Sequence, residues 1–169
     1  MSHIDVLILM GSDSDAPIMQ AAVDVLRELG ISSEMTVASA HRSPERVMRL
    51  VREAPDRGVK VFIVGAGAAA HLGGVVAAHT TSPVIGVPID SSALKGLDAL
   101  LSTVQMPPGV PVATVSIGKP GATNAGILAA QILGVGDSNV AARLDEYKKK
   151  MAQKVEHCLL YTSPSPRDS

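Results

Sequence analysis

The feature that most constrains this chain is an alternation. Apolar, β-rich runs at 4–10, 34–37, 59–64, 84–87 and 112–115 are each followed by a stretch with helical spacing. Strands that alternate with helices pair in parallel, because a parallel pair needs a crossover long enough to hold a helix. Five βα units are expected, in an α/β fold with a five-stranded parallel sheet.

With 169 residues the chain is read as one domain over 1–157, ending in a C-terminal helix. Hydrophobic residues make up 46% of it, yet it has one Phe, two Tyr and no Trp, so Ala, Val, Ile, Leu and Met must build the core. Such a core brings backbones close together. The first helix has legible ends: Asp15 as N-cap, Pro17 in the first turn, Ile18, Ala22, Val25, Leu26 and Leu29 on one face, and Gly30 as stop. In the second, Ser43 caps, Pro44 takes the first helical position, and Arg46, Arg49 and Arg52 form a wet face. The helices near 75–78 and 121–133 are small or apolar nearly all round, a pattern of burial on every side. In so short a chain this predicts a homo-oligomer with helix-rich interfaces. The final helix, about 140–155, carries Lys148, Lys149 and Lys150 near its end, where cations suit the macrodipole.

Net charge is -1, and no basic stretch is interleaved with aromatics, so nucleic acid is not an expected partner. No apolar run reaches the roughly 20 residues of a membrane span, and the N-terminus lacks a signal-peptide pattern, so no membrane partner and a cytoplasmic location are expected. The single cysteine, Cys158, begins a Pro/Ser-rich stretch, 158–169, that breaks from the helix before it. Residues 158–168 can be back-translated as a transposase-type sequencing-library adapter, so this stretch reads as a non-native, disordered tail.

In a parallel α/β sheet, ligands bind beyond the carboxyl ends of the strands. The segments there are GSDSD (11–15), ASAHRSP (38–44), GAGAAAHLGG (65–74), VPIDSSALKG (87–96) and SIGKPG (116–121). Backbone amides, hydroxyls and a helix N-terminus at GSDSD suit a phosphate or ribose, with Asp15 accepting from sugar hydroxyls. Arg42, beside a helix start, is placed as a phosphate clamp, and Ser39 lies next to it. His41 can pass a proton near neutral pH, as histidine does, and His71 could meet it across the rim. Each has a plainer reading as well, with Asp13, Ser14 and Asp15 as caps and the histidines as loop or packing residues. Their convergence on one rim favours chemistry. His3, His79 and His157 do not fall at metal-ligand spacing in the sequence, so no metal is expected.

Three other sites share parts of this pattern. Gly65, Gly67 and the distant Asp90 imitate a dinucleotide-binding loop, but His71, Gly73 and Gly74 occupy the first turns of what should be a clean helix. A flavin site needs loop aromatics, and Phe62, Tyr147 and Tyr161 are misplaced for it. A phosphoacceptor receiver is suggested by Asp13, Asp15, Lys119 and Pro120, yet the third strand ends Val64-Gly65 with no Asp to phosphorylate.

Taken together, MGSDSD, SAHRSPER, GAGAAAHLGG, GVP and VQMPPGVPVATVSIGKPGATNAGILAAQIL resemble, over about residues 4–156, the PurE family of N5-carboxyaminoimidazole ribonucleotide mutases of purine synthesis. The resemblance implies a flavodoxin-like three-layer α/β/α sandwich, a homo-octamer with sites at subunit junctions, a small-molecule ribonucleotide substrate, and no cofactor. It also implies coupling to the ATP-dependent synthetase that makes the N5-carboxylated substrate. By it, Ser12, Asp15 and Arg42 match substrate-binding positions, with Ser14 and Ser39 nearby; His41 matches the proton-transferring histidine and His71 the second active-site histidine.

The implied reaction moves a carboxyl group from the exocyclic nitrogen of an aminoimidazole to C4. CO2 released in a small pocket can be recaptured by the electron-rich C4 before it escapes, and His41 then removes the C4 proton. Small residues at Gly65, Gly67, Ala68 and Ala69 would let backbone approach the ring and its carboxylate, so Gly67 and Ala68 join the expected substrate contacts. A sister class carboxylates the unmodified ribonucleotide directly with CO2. Its Gly-rich third loop differs and lacks the Ala-Ala-His-Leu element found here at 69–72, although Gly73 replaces the Pro that usually follows. A nucleotide-monophosphate sensor could use the phosphate and ribose groups alone, and the two histidines argue against it.

Overall fold

The computed structural model describes residues 3–159 of the chain, a five-stranded parallel sheet between two layers of helices. Strands β1 (Val6–Met10), β2 (Ser33–Val37), β3 (Val61–Gly67), β4 (Val84–Ile89) and β5 (Ala113–Thr114) lie in the order β2-β1-β3-β4-β5. Helices α1 (Ala16–Glu28), α2 (Pro44–Glu53), α3 (Leu72–Ala77), α4 (Leu97–Val104), α5 (Gly118–Gly134) and α6 (Ser138–Leu159) follow in sequence. This is the expected flavodoxin-like sandwich. The order reverses between β1 and β3, the place where such sheets open a crevice.

Alternation along each strand assigns the layers. On β1, Val6, Ile8 and Met10 join α1 and α5 in one core, with α6 packed outside α5. Leu7 and Leu9 face the other way, into a core with α2, α3 and α4. Each fully buried Val, Leu or Ile of these two cores adds roughly 1.5–3 kcal/mol relative to an exposed one.

Local sequence explains the helix ends. Gly30 takes a left-handed φ of 66°, and the Ile31 amide donates back to Leu26 at 2.9 Å, a Schellman stop that packs Ile31 over Leu26. Pro44 opens α2, which buries Val47, Leu50 and Val51 and leaves Arg46, Arg49 and Arg52 exposed. One expected cap differs. Asp15 precedes α1 but makes no side-chain cap there; its carboxylate instead accepts from the Ser12 amide at 3.1 Å. On the first face, Ile18 is only half-buried, and Met19 takes the central core position.

The small-residue helix α5 is covered largely within the chain. Gly121, Ala122, Ala125, Gly126, Ala129 and Ala130 are buried against α1 and the sheet. The argument from that helix to a second subunit therefore loses its force. Half of the exposed large apolar side chains cluster on and just before α4, where Leu97, Leu101 and Val104 follow Leu94, each about half exposed or more; the others are scattered at Val37, Val135, Met151 and Val155. Helix α6 runs to Leu159, into the stretch set apart from Cys158; residues 160–169, including Tyr161, lie outside the described residues. Among the described residues, no helix is long and apolar enough to cross a membrane.

The contact between α1 and α5 depends on the absence of a side chain. A β-carbon at Gly126 would meet Val25 and sit 3.0 Å from the Ala22 carbonyl oxygen. Gly126→Val is expected to force these helices apart and destabilise the protein by about 1–3 kcal/mol, read from denaturant unfolding. Gly136, with nothing within 4 Å of its would-be β-carbon, supplies the control: Gly136→Ala should stay within about 0.5 kcal/mol of the parent.

Candidate active site

The cleft forms where the strands end. Met10 of β1 pairs with Val37 of β2 and Gly65 of β3, so the segments after these strands leave the sheet side by side. Strand β3 continues past that level to Gly67, opposite Ile89 of β4, and brings the segment after β4 to the same edge. A cleft of about 190 Å³ opens there, lined by residues from these four segments, among them Gly11, Ser12, Ser14, Asp15, Ser39, His41, Arg42, Gly67, His71 and Ser91.

The first segment folds on itself. Asp13–Asp15 is a single turn of 3-10 helix, and Ser12 caps it: its hydroxyl accepts from the Ser14 amide at 3.3 Å, while Asp15 accepts from the Ser12 amide. This reciprocal pair is a capping box. The Ser14 hydroxyl lies 2.9 Å from that of Ser12, and the Ser12 hydroxyl lies 3.2 Å from Asp13 Oδ1. Asp15 is only 5% exposed. Burial raises its carboxyl pKa above the usual value, the Ser12 amide works against that, Asp13 adds to it, and Arg42 opposes it.

The second segment is held by its own hydroxyls. The Ser43 hydroxyl accepts from the Ser39 amide at 3.0 Å, and the Ser39 hydroxyl accepts from the Arg42 amide at 3.2 Å. His41 and Arg42 thus sit on a turn closed at both ends. The Arg42 guanidinium donates to the Gly11 carbonyl at 2.9 Å and ties this segment to the first. His41 Nε2 lies 2.7 Å from His71 Nδ1, with the rings edge to face at 4.8 Å between centroids. A hydrogen bond between two ring nitrogens holds one proton, so one imidazole donates and the other accepts.

The structure brings Ser12, Ser14, Asp15, Ser39, His41, Arg42, Gly67 and His71 to one cleft. Ala68 differs: it follows Gly67 but does not line the cleft, whereas Ala69 does. Sequence reasoning missed Ser91 as a site residue. It stands two positions past the end of β4, where the strand-end rule could have found it, and a β-carbon on Gly67 would collide with its hydroxyl. Among the described residues, Phe62 is buried in one core and Tyr147 packs against the other, so neither ring lines the cleft. Among the described residues, no three His, Cys, Asp or Glu gather as a metal site.

Asp15 makes the site costly to ionise. Its folded pKa is raised, so the stability it contributes is fully present below the unfolded value of 3.8 and is lost as pH rises through the folded value. Asp15→Asn removes that loss. The melting temperature of the variant, relative to the parent, is expected to move upward as pH is raised through the carboxylate range; an unchanged difference would contradict the buried charge.

The chain matches the family model described as AIR carboxylase over residues 5–154. It is 54% identical over 148 residues to the N5-carboxyaminoimidazole ribonucleotide mutase of Thermotoga maritima, covering 88% of this chain and 85% of that protein. With the mutase of Bacillus subtilis the identity is 56% over 148 residues, covering 88% and 91%. The crystal structure of Treponema denticola PurE superposes with a TM-score of 0.84 at 30% identity, over 94% of this chain and 98% of that one. The matched span takes in all five strands, every cleft residue and most of α6, and the chain belongs to the AIR carboxylase family.

Proposed function

We propose that this protein is an isomerase of de novo purine biosynthesis that converts N5-carboxyaminoimidazole ribonucleotide to 4-carboxy-5-aminoimidazole ribonucleotide. The observation that carries this reading is the His41–His71 pair, 2.7 Å apart, in the same cleft as Arg42 and the buried Asp15. The mutase names of relatives more than half identical to the chain support it.

The chemistry balances within such a site. Breaking the carbamate C–N bond releases CO2 and leaves the exocyclic nitrogen to take up one proton. Bond formation between C4 and CO2 leaves a proton on C4, which must depart for the ring to become aromatic again. One proton enters and one leaves, so a histidine pair that shares a proton suits both steps. Arg42 and the hydroxyls of Ser12, Ser14 and Ser39 would hold the phosphate and ribose, and Asp15 would accept from a ribose hydroxyl. Gly67 sets its backbone in the cleft wall beside Ser91.

The working assembly in this reading is a cytoplasmic homo-octamer, fed by the ATP-dependent synthetase that carboxylates the exocyclic nitrogen. The exposed stripe of Leu94, Leu97, Leu101 and Val104 supports an assembly, since so much apolar surface on one helix favours burial.

His41→Asn is expected to keep ligand affinity while turnover falls by about 10²-fold or more, the scale of a lost general acid/base group. Isothermal titration with product beside a steady-state assay separates the two effects, and retained turnover would sink the assignment. A substrate test decides between mutase and direct carboxylase. With N5-carboxylated substrate and no added bicarbonate, turnover is expected; the uncarboxylated ribonucleotide with bicarbonate should be consumed far more slowly. A binding module without catalysis would not exchange the C4 proton with solvent.

A further inference from the structure

Among the described residues, two non-glycine positions have positive φ, Ala68 and Lys95, both at 51°. Both fall in segments that build the cleft. Ala68 lies between Gly67 and Ala69, which line it, and Lys95 ends the segment after β4 that supplies Ser91. A left-handed backbone is disfavoured for any residue with a β-carbon, and such conformations persist only where their surroundings hold them.

The placement at Ala68 is informative because glycine stands beside it. Gly67 does not have positive φ, and it is glycine for space, since a β-carbon there would collide with Ser91. The left-handed position one residue later is an alanine instead. Glycine there would be free to visit several backbone regions, whereas alanine, once placed left-handed by its neighbours, has only a narrow well in which to move. After it the chain closes quickly: the His71 amide donates to the Ala69 carbonyl at 2.8 Å, α3 starts at Leu72, and His71 Nδ1 meets His41 Nε2 at 2.7 Å.

We infer that Ala68 is a positioning residue for the transfer reaction: its left-handed backbone sets the turn that carries Ala69 into the cleft wall and His71 against His41. It acts through these neighbours and does not itself line the cleft. The inference rests on the function proposed above and adds a conformational requirement to it.

The test uses the full-length protein and three side chains at one position. Ala68→Gly relieves the strain, so its melting temperature should equal or exceed that of the parent, while kcat falls by about tenfold or more as the histidine pair loses its fixed geometry. Ala68→Asn, a residue that accepts the left-handed region, should bring kcat back to within about threefold. Amide hydrogen exchange should quicken at Ala69–His71 in the glycine variant and return to the parent rate in the asparagine variant. A role confined to stability would move melting temperature and kcat together. Wild-type kcat in Ala68→Gly, or no recovery in a folded Ala68→Asn, overturns the inference. If the parent itself fails to turn over the N5-carboxylated substrate, the proposed function fails; the exchange pattern then still reports whether Ala68 fixes the turn.

Discussion

The site depends on one constraint, the burial of the sheet on both faces. Val6, Ile8 and Met10 point into one helical layer and Leu7 and Leu9 into the other, so no polar side chain can be accommodated along β1 itself. Polar chemistry is left to the sheet edge, where backbone groups beyond the ladder are free to meet a ligand. Because β1 and β2 end at Met10 and Val37, level with Gly65, and β3 runs two residues further to Gly67, the segments after them emerge at one end of the sheet. Register thereby brings the segments that carry Asp15, Arg42 and His71 to one end of the sheet, and their own hydrogen bonds set the rest.

Much of this was legible in the sequence. The starts and ends of β1, β2 and β4 fall within two residues of their apolar runs, and Gly30 and Pro44 mark helix ends as their backbone preferences require. Legibility fails where tertiary contacts decide. Strand β5 shrinks to Ala113–Thr114, since it pairs with β4 only at Ile85 and Gly86. Asp15 looks like a cap for the helix that follows it, and local pattern alone does not reveal that it turns back to Ser12. In the site, histidines, arginine and serines announce their chemistry. Ser91 does not, because its place is set by the pairing of β3 with β4. The left-handed turn at Ala68 is likewise hidden, since alanine is a signature of helix and gives no sign of positive φ.

The same small residues serve two purposes. Gly126 allows α1 and α5 to approach, and a β-carbon at Gly121 would run into the Ser116 carbonyl oxygen, so close packing and a tight entry into α5 both need hydrogen there. At Gly67 the same absence leaves room for Ser91 and a wall of bare backbone. The approach of α1 to α5 and that of Ser91 to β3 therefore share one cause: each contact is spaced for a residue without a β-carbon. Helix α4 differs, since Leu97 and Leu101 face outward and, with Leu94 and Val104, leave a cluster of apolar area exposed.

Asp15 and the histidine pair differ in how their polar groups are met. The histidines face each other and share a hydrogen bond, so each meets part of the other's need before a ligand arrives. Asp15 is buried, opposed by Asp13, and offered one backbone amide and the nearby Arg42. Its charge is thus under-solvated. A ligand that brings hydroxyl donors restores what burial removed, whereas one that presents an acceptor there makes the deficit worse. The structure keeps the buried carboxylate and the histidine pair on separate segments, joined through Arg42 and the Gly11 carbonyl.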